Sequence, residues 1–281
     1  MFRRITGKMP GKVFWSIGLI LSLSVASYAR GSQVDLKIIT YNIWNGFDWG
    51  KDEERRENLA EWVEQQHPDV VALQELCGYT SEKLQEDALK WGHRYSVILK
   101  TSGYPVGLTS NQPIELKEKM LKGLHHGALH VRTHGIDFLV IHLHPGSFAR
   151  RREEVKILLP KLNEIRESNT SYIVLGDFNA PSPFDADLYD PDGYFLTRLR
   201  EGNKDRPETG NLFNGDLDYV VMASFIGFPL QDVCRPHTRG MAERGSFPGR
   251  VLGSVNDEST DQLVSRMERI DYIMVSPEMG E

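Results

Sequence analysis

With 281 residues, 40% of them hydrophobic and only 14 prolines, the chain has enough apolar side chains for a sizeable core and is not a disordered polypeptide. Its net charge of −6 argues against a protein held to nucleic acid by a general field of lysine and arginine, although a local basic patch stays compatible with it. The two cysteines, Cys77 and Cys234, cannot alone make a tetrahedral zinc site and leave room for one disulfide.

In chain order the first element is a leader. Arg3, Arg4, Lys8 and Lys12 precede the apolar run VFWSIGLILSLSVA, and Ser27-Tyr28-Ala29 offers small residues at cleavage spacing, the layout of a secretory signal peptide. The apolar run is short for a span of about 20 residues, so an uncleaved anchor is the lesser alternative. Residues 30–281 are therefore expected to be secreted or periplasmic, with cleavage near Ala29 and no integral membrane domain afterwards. Loss of residues 1–29 leaves 29 basic against 39 acidic residues, a net charge of −10.

LKIITYNIW has the β-branched and aromatic content of a strand, and EERRENLAEWVEQQ sets Leu59, Trp62 and Val63 at helical spacing behind acids in the first turn. HPDVVALQEL reads as a loop and a buried strand, Val70 to Leu73. A helix follows around Ser81 to Trp91, then strands near Tyr95 to Leu99 and Val106 to Asn111. Two more strands lie in GALHVRTHGIDFLVIHLH, turning at His134-Gly135. A helix is predicted from Phe148 to Glu167, with Val155, Leu158, Leu159, Leu162 and Ile165 on one face and Pro160 expected to kink it or begin it late. Ala180 to Gly215 reads as a long surface connection, and DLDYVVMA, FPLQDVCR and RIDYIMVS as strands. The run Arg150 to Lys156 reads as a solvated helix face. Asp185, Asp187, Asp190 and Asp192 lack the spacing of a calcium loop. No repeat is visible, and one α/β domain over residues 30–281 is the economical reading.

Several apolar strands end or begin in polar residues. Asn42 closes IITYN, Glu75 closes VVALQE, His142 and His144 close FLVIHLH, Asp177 and Asn179 close YIVLGDFN, and Asp271 opens RIDYIMV. A single such end is a turn, but a set is a constellation. These residue types can hold a hard divalent cation through oxygen and move a proton beside it.

The ordered series TYNIW, LQEL, HLHP, GDFNAPS, GFPLQDVCR, SFPGR and RIDYI resembles the endonuclease/exonuclease/phosphatase superfamily over nearly all of the chain after the leader. The resemblance implies a four-layer, deoxyribonuclease-like α/β fold: a two-sheet β-sandwich flanked by helices, with the site at one end of the paired sheets. It places Asn42 and Glu75 at a magnesium ion, for which manganese is a substitute, with Glu75 the most direct ligand. It assigns Asp177 to the attacking water, Asn179 to the phosphate, and one of His142 and His144 to the scissile phosphate. Asp271 would support the metal or the catalytic histidine. The family pattern continues after RIDY to a Ser-Asp-His triplet, whereas this sequence ends at VSPEMGE. A chain lacking its last strand and C-terminal segment is therefore expected. The function implied is a magnesium-dependent phosphoesterase acting on a small or lipid-derived phosphate ester. A secreted nuclease and a non-catalytic relative are the alternatives.

Overall fold

The computed structural model describes residues 20–23, 35–190, 192–206 and 210–280. The expected leader lies outside them apart from Ile20–Leu23 (β1), whose backbone pairs antiparallel with Leu36–Asn42 (β2). A left-handed helical turn, Trp44–Gly50 (α1), is followed by the helix Glu53–Gln66 (α2), the strand Val70–Gln74 (β3) and the helix Ser81–Lys90 (α3). Next come Tyr95–Ile98 (β4), Gly107–Ser110 (β5), Glu115–Met120 (β6), Ala128–Thr133 (β7) and Ile136–His142 (β8). The long helix Phe148–Ser168 (α4) leads to Tyr172–Asp177 (β9). The remainder holds the helix Tyr194–Asn203 (α5), a hairpin of Leu212–Phe213 (β10) and Asp216–Leu217 (β11), the helix Val220–Gly227 (α6) and the strand Gln231–Asp232 (β12). Three short helices, Met241–Arg244 (α7), Arg250–Val255 (α8) and Thr260–Ser265 (α9), precede the strand Asp271–Val275 (β13).

Local chemistry accounts for the helix starts. Asp52, Thr80 and Ser147 accept the backbone N–H of Arg55, Lys83 and Arg150, satisfying donors that the first turns of α2, α3 and α4 leave open. His134 and Gly135 both have positive φ, 54° and 76°, the conformation of a tight turn matched to strand twist, and they join β7 to β8 as the sequence predicts.

The strands form two large mixed sheets, ordered β1-β2-β3-β5-β4 and β12-β13-β9-β8-β7-β6. Their inner faces share one apolar core, with Ile38, Val70, Ala72 and Leu108 from the first sheet against Leu129, Phe138, Val140, Leu175 and Ile273 from the second. Each fully buried Ile, Leu or Phe there contributes roughly 1.5–3 kcal/mol. A second cluster packs α4 and α6 on the outer face of the six-stranded sheet, and a third packs α2 and α3 on the outer face of the other. The result is the expected order of helix, sheet, sheet, helix.

Three local expectations need correction, and one strand is additional. α4 runs through Pro160 without beginning late; its buried Val155, Leu158 and Leu162 fasten it to the sheet on either side of the proline. DLDYVVMA, expected as a strand, is extended only at Asp216–Leu217, and its VVMA opens the helix α6, because Val221, Met222 and Phe225 fill the space beside α4 and tertiary packing overrides strand propensity. The expected surface connection contains α5 and the β10–β11 hairpin around a satellite cluster of Tyr189, Leu196, Leu212 and Leu217. Finally, β6 has no counterpart in the sequence reading. Its ELKEKM is exposed along almost its whole length, as befits the edge of a sheet.

Candidate active site

Each sheet contains one parallel pair joined by a helical crossover, β2–β3 and β8–β9. Parallel strands end on the same side, so Asn42 registers with Gln74 in one sheet and His142 with Asp177 in the other. Asp271, at the start of antiparallel β13, registers with Asp177 as well. Topology alone thus delivers Asn42, Glu75, His142, Asp177 and Asp271 to one end of the stacked sheets.

Two backbone features make the approach close enough. Gly176 has φ 131°, and a Cβ there would lie 2.1 Å from the Ile141 carbonyl oxygen, so only glycine lets β9 meet β8 beside Asp177. Glu75 and Asn179 sit in the left-handed region, with φ 60° and 48°. Non-glycine residues held there are concentrated at sites of function.

Asn42 is the bridge between the sheets. Its Nδ2 donates to Glu75 Oε1 at 3.0 Å and to Asp177 Oδ2 at 3.1 Å, and its oxygen accepts the Trp44 N–H at 2.9 Å. The second oxygen of Glu75 accepts the Asn45 N–H at 2.7 Å. Asp177 Oδ1 accepts the Asn179 N–H at 2.8 Å, while the Asn179 side chain donates to the Leu143 carbonyl at 3.0 Å. Ser246 holds the start of β13 by accepting the N–H groups of Ile270 and Asp271. Arg269 is not the partner of Asp271: its guanidinium is fully buried between Asp185 and Asp232. Asp185 is thereby explained as a structural acid, shared with Arg244.

Burial and neighbouring charge raise two of the carboxylates. Burial, then the charges of Asp271 and Glu75, push Asp177 well above the usual carboxylate range. Burial and then Glu75 bring Asp271 up to about 6 against the pull of Ser246 and Arg269, and its Oδ1 is buried with no hydrogen-bond partner among the described residues. Glu268, shortly before β13 begins, is raised to about 7 by burial, with Asp271 adding to it. A hard divalent cation would relieve Asp177 and Asp271 together, since the donors are oxygens. Magnesium commonly uses only one or two carboxylates and keeps its waters. Glu75 and Asp271 fit that requirement. Among the described residues no three His, Cys, Asp or Glu are spaced to enclose an ion by themselves.

Histidines form the facing wall. His142 is 3% exposed, and its Nε2 lies 3.6 Å from Asp177 Oδ2, an apposition longer than a hydrogen bond. Burial, then His126 and His125, hold its pKa well below the usual imidazole value, so it is neutral at pH 7. His144, half-buried, accepts the Gly146 N–H on Nδ1 at 3.1 Å and stands at the rim. His126, not among the sequence candidates, stacks on His142 with ring centroids 4.1 Å apart, and burial lowers its pKa to about 3. His130 belongs elsewhere, paired at 2.8 Å with Asp137 near the opposite end of β8.

The histidine loops are tied down by α4. Glu154 is 2% exposed; one oxygen accepts the His125 N–H and the other the His144 N–H, both at 2.8 Å. One turn earlier on the same face, buried Arg151 donates to the His144 carbonyl at 2.9 Å and to Asn211 Oδ1 at 3.0 Å. The charged run is therefore only partly a solvated face. The signal for this is the i, i+3 spacing of Arg151 and Glu154, soon after the HLHP segment.

Two mixed sheets packed face to face between helices, with carboxylates, amides and histidines gathered at one end, define the deoxyribonuclease-like class of α/β sandwich. The model of the Endonuclease/Exonuclease/phosphatase family matches residues 39–280, and the chain belongs to that family, whose members hydrolyse phosphoric esters. No curated protein matches it. Among solved structures it is similar to an AP endonuclease from Archaeoglobus fulgidus, at 18% identity and TM-score 0.57, covering 86% of this chain and 87% of that one. It is also similar to the 3'-5' exonuclease NExo from Neisseria meningitidis, at 19% identity and TM-score 0.57, over 86% and 87%. A third is a variant of the 3' phosphatase NExo from Neisseria bound to a product DNA hairpin, at 18% and 0.57, over 87% and 88%. At these identities the likeness is one of fold.

Proposed function

We propose that the chain is a secreted or periplasmic, magnesium-dependent phosphoesterase that hydrolyses a small or lipid-derived phosphate ester by attack of water. The observation that carries this reading is the meeting of Glu75, Asp177 and Asp271 across the two sheets, with Asn42 bridging Glu75 to Asp177 and with Asp177 and Asp271 both raised by burial and by the Glu75 charge. When bound, a divalent ion would supply charge neutralisation at the phosphate. Glu75 would hold it most directly, with Asn42 and Asp271 beside it. Asp177, hydrogen-bonded to Asn42 and to the Asn179 N–H, orients the water and takes its proton. The Asn179 amide has a second N–H beyond the one given to Leu143, and it donates that to a phosphate oxygen. His142, neutral and backed by His126, donates to another. His144 serves the rim.

A second reading, a secreted nuclease, is favoured by the DNA hairpin bound to one of the similar structures. The net charge of −6 speaks against it here. Turnover of a panel of phosphomonoesters, phosphodiesters and duplex DNA, with magnesium and with a chelator, tests both. Metal-dependent turnover of a small ester, varying little from about 50 to 200 mM salt and falling by about 10²- to 10⁴-fold in Asp177→Asn, is expected. A preference for DNA that collapses over that salt range would install the nuclease instead. Mass spectrometry of the exported protein should find a start just after Ala29; a start at Met1 would favour an anchor.

A further inference from the structure

The carboxylates and amides account for one side of the site. On the other, rings follow one another outward from the acid–histidine pair. His142 stacks on His126 at 4.1 Å with planes at 22°; His126 meets Tyr104 at 5.3 Å; Tyr104 meets Trp49 edge-on at 6.2 Å. The row begins buried, His142 at 3% exposure and His126 at 6%, and ends in water with Trp49 at 51%. It is assembled from distant parts of the chain: the end of β8, the loop before β7, the loop between β4 and β5, and α1.

The segment that presents Trp49 is costly to form. Asn45, Gly46, Phe47, Asp48 and Trp49 all have φ between 52° and 59°, and left-handed backbone at non-glycine residues costs roughly 1–2 kcal/mol each. Such backbone persists where its surroundings over-determine it, characteristically at sites and ligand clamps. Here the Asn45 N–H is spent on Glu75, and a Cβ on Gly46 would stand 2.0 Å from the Cys77 carbonyl oxygen. Arg55 closes the start of the turn, its guanidinium 5.2 Å from both the Trp44 and Phe47 rings. The turn is thus pinned directly to the Glu75 carboxylate, and an indole half in water at its far end adds little to any core. Lys100, whose field reaches His126, and Lys83, whose Nζ lies beside Gly50, are cations near this row, and the row itself is aromatic.

We propose that the row His126–Tyr104–Trp49 is a substrate subsite that receives the flat apolar face of an uncharged ring in the esterified alcohol while the phosphate lies against His142 and Asp177. This rests on the phosphoesterase reading and narrows it: esters with a ring on the alcohol side are preferred over those with a short open chain. The cost of α1 is then the cost of fixing metal-side carboxylate and ring platform in one rigid unit.

Calorimetry with phenylphosphonate and methylphosphonate, in magnesium and on the whole chain, tests it. Phenylphosphonate should bind about tenfold more tightly, the upper end of what one aromatic pair supplies. Trp49→Ala should bring the ratio close to one, and Trp49→Phe should keep most of it. If Trp49→Ala does not fold, Tyr104→Leu interrupts the same row from the other loop. A ratio near one in the parent, or an unchanged ratio in Trp49→Ala or Tyr104→Leu, overturns the subsite and leaves the phosphoesterase reading standing. If neither phosphonate binds the parent, the phosphoesterase reading falls and the subsite with it.

Discussion

Asp271 carries a charge that folding does not want in the absence of a cation. Its pKa is raised from 3.8 to about 6, so the folded state holds its proton more tightly than the unfolded chain does. Its contribution to stability is present below about pH 4 and is lost as pH rises through about 6. His126 works in the opposite sense: its pKa is lowered to about 3, so the folded state gains on the unfolded one as pH rises from there to the ordinary imidazole value. The two trends overlap, and a plain pH profile of stability would blur them. The difference between parent and Asp271→Asn separates them, because the histidine part cancels. In chelator the variant should gain on the parent by on the order of 2 kcal/mol between about pH 4 and pH 6, and hold that gain above. Denaturant midpoints at a series of pH values check it; parallel curves would mean that Asp271 ionises freely. Magnesium should restore the parent at pH 7 more than at pH 5, since proton and cation compete for the same oxygens.

At the level of elements, α4 does more than cover a sheet, because Glu154 fastens two histidine-bearing loops through their backbones. Glu154→Gln keeps the shape but supplies one acceptor oxygen where two are used. A buried N–H left unpaired costs about 1–3 kcal/mol of stability. Loosening of the histidine wall should lower kcat about ten- to a hundredfold with a smaller change in KM. Steady-state kinetics with a small phosphodiester, at a temperature well below the variant's Tm, checks this; an unchanged kcat would make Glu154 purely structural. Beyond the spacing of Arg151 and Glu154, the sequence does not show what the clamp holds, since it joins residues 29 and 10 positions apart through loops. What is readable follows a simple rule. Strands ending in Asn42, Glu75, His142 and Asp177 announce themselves because a buried apolar run has no ordinary use for such residues, and α2 because its apolar spacing and first-turn acids agree. α6 is misread because VVMASFIG is apolar on every side and carries no period. β6 is invisible because ELKEKM is an edge strand with nothing to bury. The left-handed α1 leaves only one trace, the Asn45-Gly46 pair, in a stretch otherwise unsuited to positive φ.

For the molecule as a whole, the site exists only where two sheets meet, each contributing one parallel pair and neither holding the full set of acids. The free thiols bear on a different matter. Cys77 and Cys234 are both buried and unbridged, and Cys234 belongs to the core between the sheets, so the disulfide for which the sequence left room is not part of this fold. Burial pushes the Cys77 thiol up to about 12, where almost none of it is the reactive thiolate. Cohesion rests on apolar packing and on buried ion pairs such as that of Arg269 with Asp185. A denaturation midpoint that is the same with and without dithiothreitol is expected, and a drop on reduction would reveal a covalent link that the fold does not need. The chain is thus indifferent to redox conditions: its maturation calls on no thiol oxidase or disulfide isomerase, and active protein should accumulate as readily in a reducing host cytosol as in an oxidising periplasm.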